Sequence, residues 1–526
     1  MKKQHAGPTS RRRQKTHPRE KRRLRGGTRP LQAAAGILLK EVLILQQYDL
    51  IIIGGGITGC AVARELSRYR LRVAVLEAMP EIGAGTTKAN GGLVHSGYDP
   101  KPGTLKALLN LKGCLMYPML SRDLGFRFHK TGSMVIGFNE DDLAYLEKLY
   151  RQGLENGVPN LELIRGKRIF ELEPQTSPDA KYALYSPHTG MVDPFEVAIA
   201  FSENAAANGV EFHLSSPVSA IREEDNGFVV TIPEGELHAT YLVDAAGVHA
   251  DDVARLAGAD EFNIIARHGD LLVLDKHCGV QNLMTLYPIP SKETKGVVVM
   301  NSVSGNTLVG SSAEIKEKDD NASYQEGIQQ LIAGAVKLAP NLNPRKIIRT
   351  FAGCRAVVEN NHNDFYIRPS KKVPNLFYVA GIQSPGVASS PAIAAYVAQM
   401  LRGYGVPLEE KEHYVAERKA PVDFSELSPT EKDRLIQKNP AYGKLVCSCE
   451  CVTEGEIVDA IHRVPGARTI DGIKRRTRAG MGRCQGGFCQ HKVLFILARE
   501  LHCRPEDILM EGKGSQIVFS KLKEGR

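Results

Sequence analysis

The stretch Tyr48-Asp49-Leu50-Ile51-Ile52-Ile53-Gly54-Gly55-Gly56-Ile57-Thr58-Gly59 decides how the rest of this chain is read. Its first six residues make an apolar run of strand length, and its glycines fit G-x-G-x-x-G. Thr58 to Tyr69 then reads as a helix, and Arg72 to Glu77 as a second strand whose terminal acid lies 23 positions after Gly54. Strand, glycine turn, helix, strand is the opening of a βαβ unit, and that context turns a weak motif into a specific one. Gly54 permits the tight turn, Gly56 lets backbone approach a pyrophosphate, and Gly59 lets helix and strand pack closely. The helix N-terminus attracts phosphate charge, and Glu77 is placed to accept hydrogen bonds from an adenosine ribose.

Two further segments bear on which dinucleotide is meant. Tyr241 to Gly247 is a strand ending in small residues, among them Ala246 and Gly247, as needed where backbone passes close to a ligand. Phe377 to Gly386 is a strand entering a glycine turn at Gly381, Gln383 and Gly386, followed by a helix through Ala398. A second helix N-terminus is thereby aimed at the ligand, which suits a flavin whose ring edge becomes negative on reduction. No second strand-preceded G-x-G-x-x-G occurs, so FAD is expected without a separate NAD site.

Working outward, strand-like runs (Phe228 to Ile232, Asp270 to Leu274, Gly296 to Met300) alternate with helical runs (Asp141 to Asn156, Phe195 to Asn208). The expected class is α/β: a Rossmann-type FAD-binding domain with an interleaved, discontinuous α+β domain, followed by a small C-terminal domain. The expected organisation is a basic tail over 1–46, the dinucleotide-binding body over 47–405, a Pro-punctuated linker over 406–443, a small cysteine-bearing domain over 444–503 and a terminal segment over 504–526.

With 526 residues, 42% hydrophobic and 24% charged, the chain has length for about three folded domains. Leu31 to Leu45 is broken by Gly36, Lys40 and Glu41, so no apolar run of membrane-spanning length occurs. Between Met1 and Pro30 stand twelve Lys/Arg and one acid, so that stretch carries +11 of the net +9 and the other 496 residues come to about −2. The near-neutral body gives no expectation of nucleic-acid binding. Lys40-Glu41-Val42 interrupts what a secretory signal would need. The first residues read either as a solvated tail or as a mis-assigned start, with the native chain beginning near Leu45 after a triplet that a ribosome-binding-like purine run can encode.

Of ten cysteines, Cys447, Cys449, Cys451, Cys484 and Cys489 fall within 43 residues, too few for a disulfide scaffold and well placed for a metal or cluster in a reducing compartment. Cys447-x-Cys449 and Cys484-x₄-Cys489 supply two pairs of soft ligands. By ligand count these suit a [2Fe-2S] cluster or zinc equally, although C-x-C is tighter than the usual zinc spacing. Gly480, Gly482, Gly486 and Gly487 allow backbone N–H groups to turn toward the sulfurs. Cys60, Cys114, Cys278, Cys354 and Cys503 stand alone and read as structural thiols.

At this point the chain resembles a known family. The fingerprint, Lys88-Ala89-Asn90-Gly91-Gly92-Leu93-Val94-His95-Ser96-Gly97, Lys101 to Ala107, Pro187 to Asp193 and Gly381 to Pro391 are similar to D-amino-acid-oxidase-like FAD oxidoreductases. Within these, the likeness is to the group of FAD-linked glycerol-3-phosphate and L-2-hydroxyglutarate dehydrogenases. The cysteine segment, with Val452 to Ile457 and Arg475 to Arg483, resembles the [2Fe-2S] domain named after bacterioferritin-associated ferredoxin, which follows the catalytic subunit of anaerobic glycerol-3-phosphate dehydrogenases. That likeness tips the four cysteines toward a [2Fe-2S] cluster and leaves Cys451 outside the ligand set.

The resemblance implies that Thr86, Thr87 and Lys88 contact the flavin and that Arg355 lies over the substrate, where a guanidinium fork holds carboxylate or phosphate. Relatives often place a proline where this chain has Ala356. His95, which titrates near neutrality, is the expected base for the alcohol proton, with Arg267 and His268 as further substrate contacts. The expected function is a dehydrogenase of a small anionic secondary alcohol, foremost glycerol 3-phosphate, with a 2-hydroxy acid as alternative. A non-catalytic electron-transfer subunit is the rival class. The expected partners are that substrate and an accepting subunit or quinone, in the cytoplasm or at the inner face of the cell membrane.

Overall fold

The computed structural model describes residues 46–225, 227–281, 283–290 and 296–520. The basic tail, the expected start near Leu45 and residues 521–526 lie outside them.

Strand β1 (Gln46–Ile53), helix α1 (Ile57–Leu66) and strand β2 (Val73–Leu76) form the expected βαβ opening. β1 is parallel to β2 on one side and to strand Gly235–Asp244 on the other, and Ile53 aligns with both Leu76 and Asp244. Three strands therefore end level beside the glycine turn. Leu50 and Ile52 enter one core while Ile51 and Ile53 enter the other. Burial on both faces is why this strand reads as an unbroken apolar run. α1 stops at Leu66, short of the expected Tyr69, because Arg70 N–H donates to Glu409 O and draws the chain away.

The eight-stranded sheet continues through Glu211–His213 beside β2, Leu376–Ala380 beside Gly235–Asp244, and an antiparallel edge of Gly227–Ile232 and Ala220–Glu224. A second, nine-stranded sheet is assembled from segments on both sides of these strands in sequence, from Ser133–Gly137 to Ile347–Val358. Its longest pairing is antiparallel, Ile264–Leu274 against Ile347–Val358, and places Arg267 opposite Arg355.

The segment expected as a linker is strapped to the body. Lys411 N–H donates to Arg68 O, Val415 N–H to Asn208 Oδ1, and Arg418 N–H to Asp123 O. Helix Pro429–Lys438 follows, capped reciprocally by Ser428 and Glu431. The C-terminal module has its own core of Val446, Ile457, Ile461, Ile473, Leu494 and Leu497 around helices Glu454–His462, Ile470–Thr477 and Gln490–Glu500. Among the described residues, no helix is long and apolar enough to cross a membrane.

Candidate active site

The glycines of the turn after β1 leave room that side chains would fill. A Cβ at Gly54 (φ +114°) would lie 2.4 Å from Ala245 O, and one at Gly59 would lie 2.0 Å from Gly54 O. The turn opens on a cavity of about 1020 Å³, lined among others by Gly54, Gly56, Glu77, Ala246, Gly247 and Gly386. The Glu77 carboxylate accepts N–H groups from Gly55 (2.7 Å) and Met79 (2.8 Å). Burial pushes this carboxyl above its ordinary value, against the pull of those backbone groups. Size, backbone clearance and the α1 N-terminus together fit a dinucleotide such as FAD.

Thr86–Lys88 forms a single tight turn on the same wall. Thr87 Oγ1 accepts Ile57 N–H (2.9 Å) at the start of α1, and Thr86 Oγ1 donates to Cys354 O (2.7 Å). The turn thus joins the glycine loop to the strand that carries Arg355. Asn90 steadies it, donating to the carbonyls of Thr86 and Thr87. In the turn after strand Leu376–Ala380, Gln383 lines the cavity and donates from Nε2 to Asn363 Oδ1 (2.6 Å). Gly381 (φ +66°) makes the bend before it.

His95 and Arg355 both line this cavity. The His95 ring lies against Tyr98 (centroids 4.5 Å apart) and Tyr287 (6.0 Å). Its Nδ1 accepts Gly97 N–H at 3.1 Å, which puts the proton of the neutral ring on Nε2. Arg355 donates to three backbone carbonyls, Ser312 (2.7 Å), His268 (3.2 Å) and Arg267 (3.3 Å). Among the described residues no carboxylate lies within ion-pair distance of it, so a buried cation faces the cavity without a counter-charge. Burial and the neighbouring Arg267 hold its guanidinium down to about 10. Gly269 makes the space, since a Cβ there would lie 2.8 Å from Arg355 Nη2.

Arg267 and His268, expected as substrate contacts, are not on the cavity wall. Strand residues alternate in facing, so His268, next to the cavity-lining Gly269, is fully buried on the other side, its Nε2 2.9 Å from Ala322 O and its ring against Tyr324, whereas Arg267 shares the face of Arg355 but does not reach the cavity. Residues that the sequence did not single out do line the cavity: Asn90, Tyr98, Tyr287 and Glu511. The Tyr98 and Tyr287 hydroxyls are buried beside each other, and burial drives both up from the ordinary phenol value.

In the C-terminal module the four expected sulfurs form two facing pairs. Cys449 Sγ lies 3.5 Å from Cys484 Sγ, and Cys447 is hydrogen-bonded to Cys489. The Cys489 bond, with backbone N–H groups of Gly480, Glu450 and Cys449, lowers the Cys447 thiol, while those of Gly486 and Phe488 reach Cys484. Two thiol pairs with converging N–H groups are the donor set that a [2Fe-2S] cluster uses. Gly482 must be glycine here, because a Cβ would lie 2.3 Å from Cys449 Cβ. Cys451 belongs to neither pair and points toward Ser448 O at 3.9 Å. Cys449 is exposed, whereas Cys447 and Cys489 are buried.

The module docks on the body through ion pairs. Arg476 meets the fully buried Glu81 at 2.6 Å, Arg483 meets Asp275 at 2.9 Å, and Arg478 meets Asp193 at 3.6 Å. The Glu81 carboxylate also accepts the N–H groups of Arg468 and Thr469.

Comparison with known proteins yields two family matches: FAD dependent oxidoreductase over residues 49–400 and BFD-like [2Fe-2S] binding domain over residues 445–499. A glycerol 3-phosphate dehydrogenase of Caloramator mitchellensis is 42% identical over 90% of this chain and 99% of its own length. The mitochondrial L-2-hydroxyglutarate dehydrogenase of Caenorhabditis elegans is 29% identical over 68% of this chain and 94% of its own. Among solved structures, the dithionite-reduced L-alpha-glycerophosphate oxidase of Mycoplasma pneumoniae with FAD bound superposes with a TM-score of 0.69 at 27% identity, covering 72% of this chain and 100% of that one.

Proposed function

We propose, for a chain that belongs to the FAD dependent oxidoreductase family and carries a BFD-like [2Fe-2S] binding domain behind it, that it oxidises glycerol 3-phosphate to dihydroxyacetone phosphate. The observation that carries this reading is the unpaired Arg355 guanidinium sharing one cavity with His95 and the dinucleotide turn. The 42% identity to a glycerol 3-phosphate dehydrogenase over nearly all of both chains supports the choice of substrate.

Bound FAD supplies the hydride acceptor, and the cluster supplies a one-electron carrier. Gly54, Gly56, Gly59 and Glu77 would hold the dinucleotide, with Thr86 to Lys88, Ala246, Gly247 and Gly381 to Gly386 around the flavin. Cys447, Cys449, Cys484 and Cys489 would hold the cluster. Arg355, held at Nε and Nη2 by three carbonyls, keeps the two N–H groups of Nη1 and its charge for the phosphate and thereby orients the secondary alcohol. His95 takes the hydroxyl proton on Nε2 once the ring is in its other neutral tautomer, in which the proton has exchanged through solvent from Nε2 to Nδ1 and the Gly97 N–H bond is given up. The walls formed by Tyr98 and Tyr287 keep water from the reacting carbon.

A 2-hydroxy acid is the second reading, favoured by the L-2-hydroxyglutarate dehydrogenase relative and by a guanidinium that suits carboxylate as well as phosphate. In either case the electrons pass to an acceptor outside the chain. The proposed acceptor is a partner subunit or quinone, reached by a cytoplasmic protein at the inner face of the cell membrane. Steady-state turnover with an artificial one-electron acceptor tests the reading: glycerol 3-phosphate should support it, and a protein that turns over neither substrate class would be an electron-transfer subunit.

A further inference from the structure

The C-terminal segment, which the sequence marks only as following the cluster module, reaches the flavin cavity. The carbonyls of Leu509 and Met510 accept the N–H groups of Ile470 and Asp471, anchoring the segment to the module. Ser515 closes a turn, accepting Met510 N–H on its carbonyl and Glu511 N–H on its hydroxyl. The turn sets Glu511 on the cavity wall beside Lys88. Lys88 Nζ lies 2.5 Å from Glu511 Oε1, and Arg475 Nη1 lies 2.8 Å from the same oxygen. Burial alone would raise the Glu511 carboxyl; Lys88 and Arg475 more than offset it and hold it below its ordinary value.

This contact joins both halves of the molecule. Lys88 closes the Thr86–Lys88 turn, whereas Arg475 lies on the Ile470–Thr477 helix that leads to Gly480, whose N–H reaches Cys447. One carboxylate therefore links the flavin-side turn to the helix that leads toward a cluster sulfur.

We propose that Glu511 is a positioning residue of the flavin site contributed by the cluster module, which holds Lys88 and sets how much of its charge the flavin experiences. The proposal rests on the reading of this cavity as the FAD site. A cation beside the ring favours the reduced, more negative flavin, and a neutralising carboxylate weakens that preference.

The test is redox titration of the flavin in full-length holoprotein, with FAD and iron content measured alongside. Glu511→Gln should raise the flavin midpoint potential, Lys88→Met should lower it, and the double variant should return close to the parent value. Loosening of the site alone would move both single variants the same way, and either that result or no shift in either would overturn the proposal. If Glu511→Gln sheds its FAD, Glu511→Asp decides: retained FAD at the parent potential supports the proposal, and loss of FAD from both overturns it. Parent protein that binds no FAD would overturn the cofactor reading instead, and this inference with it.

Discussion

Arg476 of the cluster module and Glu81 of the segment after β2 form a buried ion pair, Nη1 to Oε2 2.6 Å, with side chains 4% and 0% exposed. The other Glu81 oxygen accepts Thr469 Oγ1–H as well as the N–H groups of Arg468 and Thr469. Among the described residues, the hydrogen bonds and the ion pair of this carboxylate all go to the module, so Glu81 is a receptor for the module's docking.

Removing one partner of such a pair leaves an uncompensated buried charge. Glu81→Ala is expected to destabilise the protein by about 3–5 kcal/mol, and Glu81→Gln by less because some N–H groups keep an acceptor. Denaturant unfolding of the full chain measures it, and a loss below about 1 kcal/mol for Glu81→Ala would mean that the docking rests on other contacts.

The cluster ligands are separable by substitution. Cys451→Ser should leave iron content and the visible spectrum unchanged, since its sulfur joins neither pair, whereas Cys484→Ser should lose the cluster. Equal losses from both would show that the ligand set was wrongly chosen.

Arg355 gives the substrate site a pH dependence with a definite sign. Burial and Arg267 hold its guanidinium near 10, so the charge is complete well below that value and is lost as pH rises through it. Substrate KM should therefore climb between about pH 9 and 10.5, which an arginine at its ordinary value would not cause. Arg355→Lys should raise KM at neutral pH as well, because one ammonium cannot hold the three carbonyls and still present two N–H groups to the substrate. An unchanged KM would place the anion elsewhere.

His95→Asn should keep FAD bound and slow flavin reduction by roughly 10²–10⁴-fold, the scale of a lost general base. Rapid mixing with substrate under anaerobic conditions measures it, and a rate near that of the parent would remove His95 from the mechanism.

The dinucleotide end of the site was legible because its constraints are local. Leu50 to Ile53 of β1 are buried on both faces and must be apolar, and Gly54 and Gly59 face backbone carbonyls that exclude a Cβ. The four cysteines were legible for the same reason, Cys447 with Cys449 and Cys484 with Cys489 each lying within six residues of chain, but the sulfurs meet crosswise, Cys449 with Cys484 and Cys447 with Cys489, which no local pattern records. What escaped depends on contacts between distant segments. Glu511 meets Lys88 across more than four hundred residues, and nothing near either residue in sequence records the pairing. Arg267 and His268 looked like substrate contacts because they adjoin Gly269 and Asp270; strand alternation and the register with Ile347–Val358 turned His268 away. The prolines and charges of the segment read as a linker do not record the hydrogen bonds with Arg68, Arg70 and Asn208 that strap it down.

The central claim, that one cavity holds FAD against an anionic secondary alcohol, is tested most directly by adding substrate to the anaerobic protein and following the flavin absorbance. Glycerol 3-phosphate should bleach the flavin rapidly and stoichiometrically, L-2-hydroxyglutarate should do so slowly or not at all, and the Arg355→Lys variant should need much more substrate for the same bleaching. A flavin that no secondary alcohol phosphate or 2-hydroxy acid reduces, in protein carrying full FAD and iron, would contradict the claim.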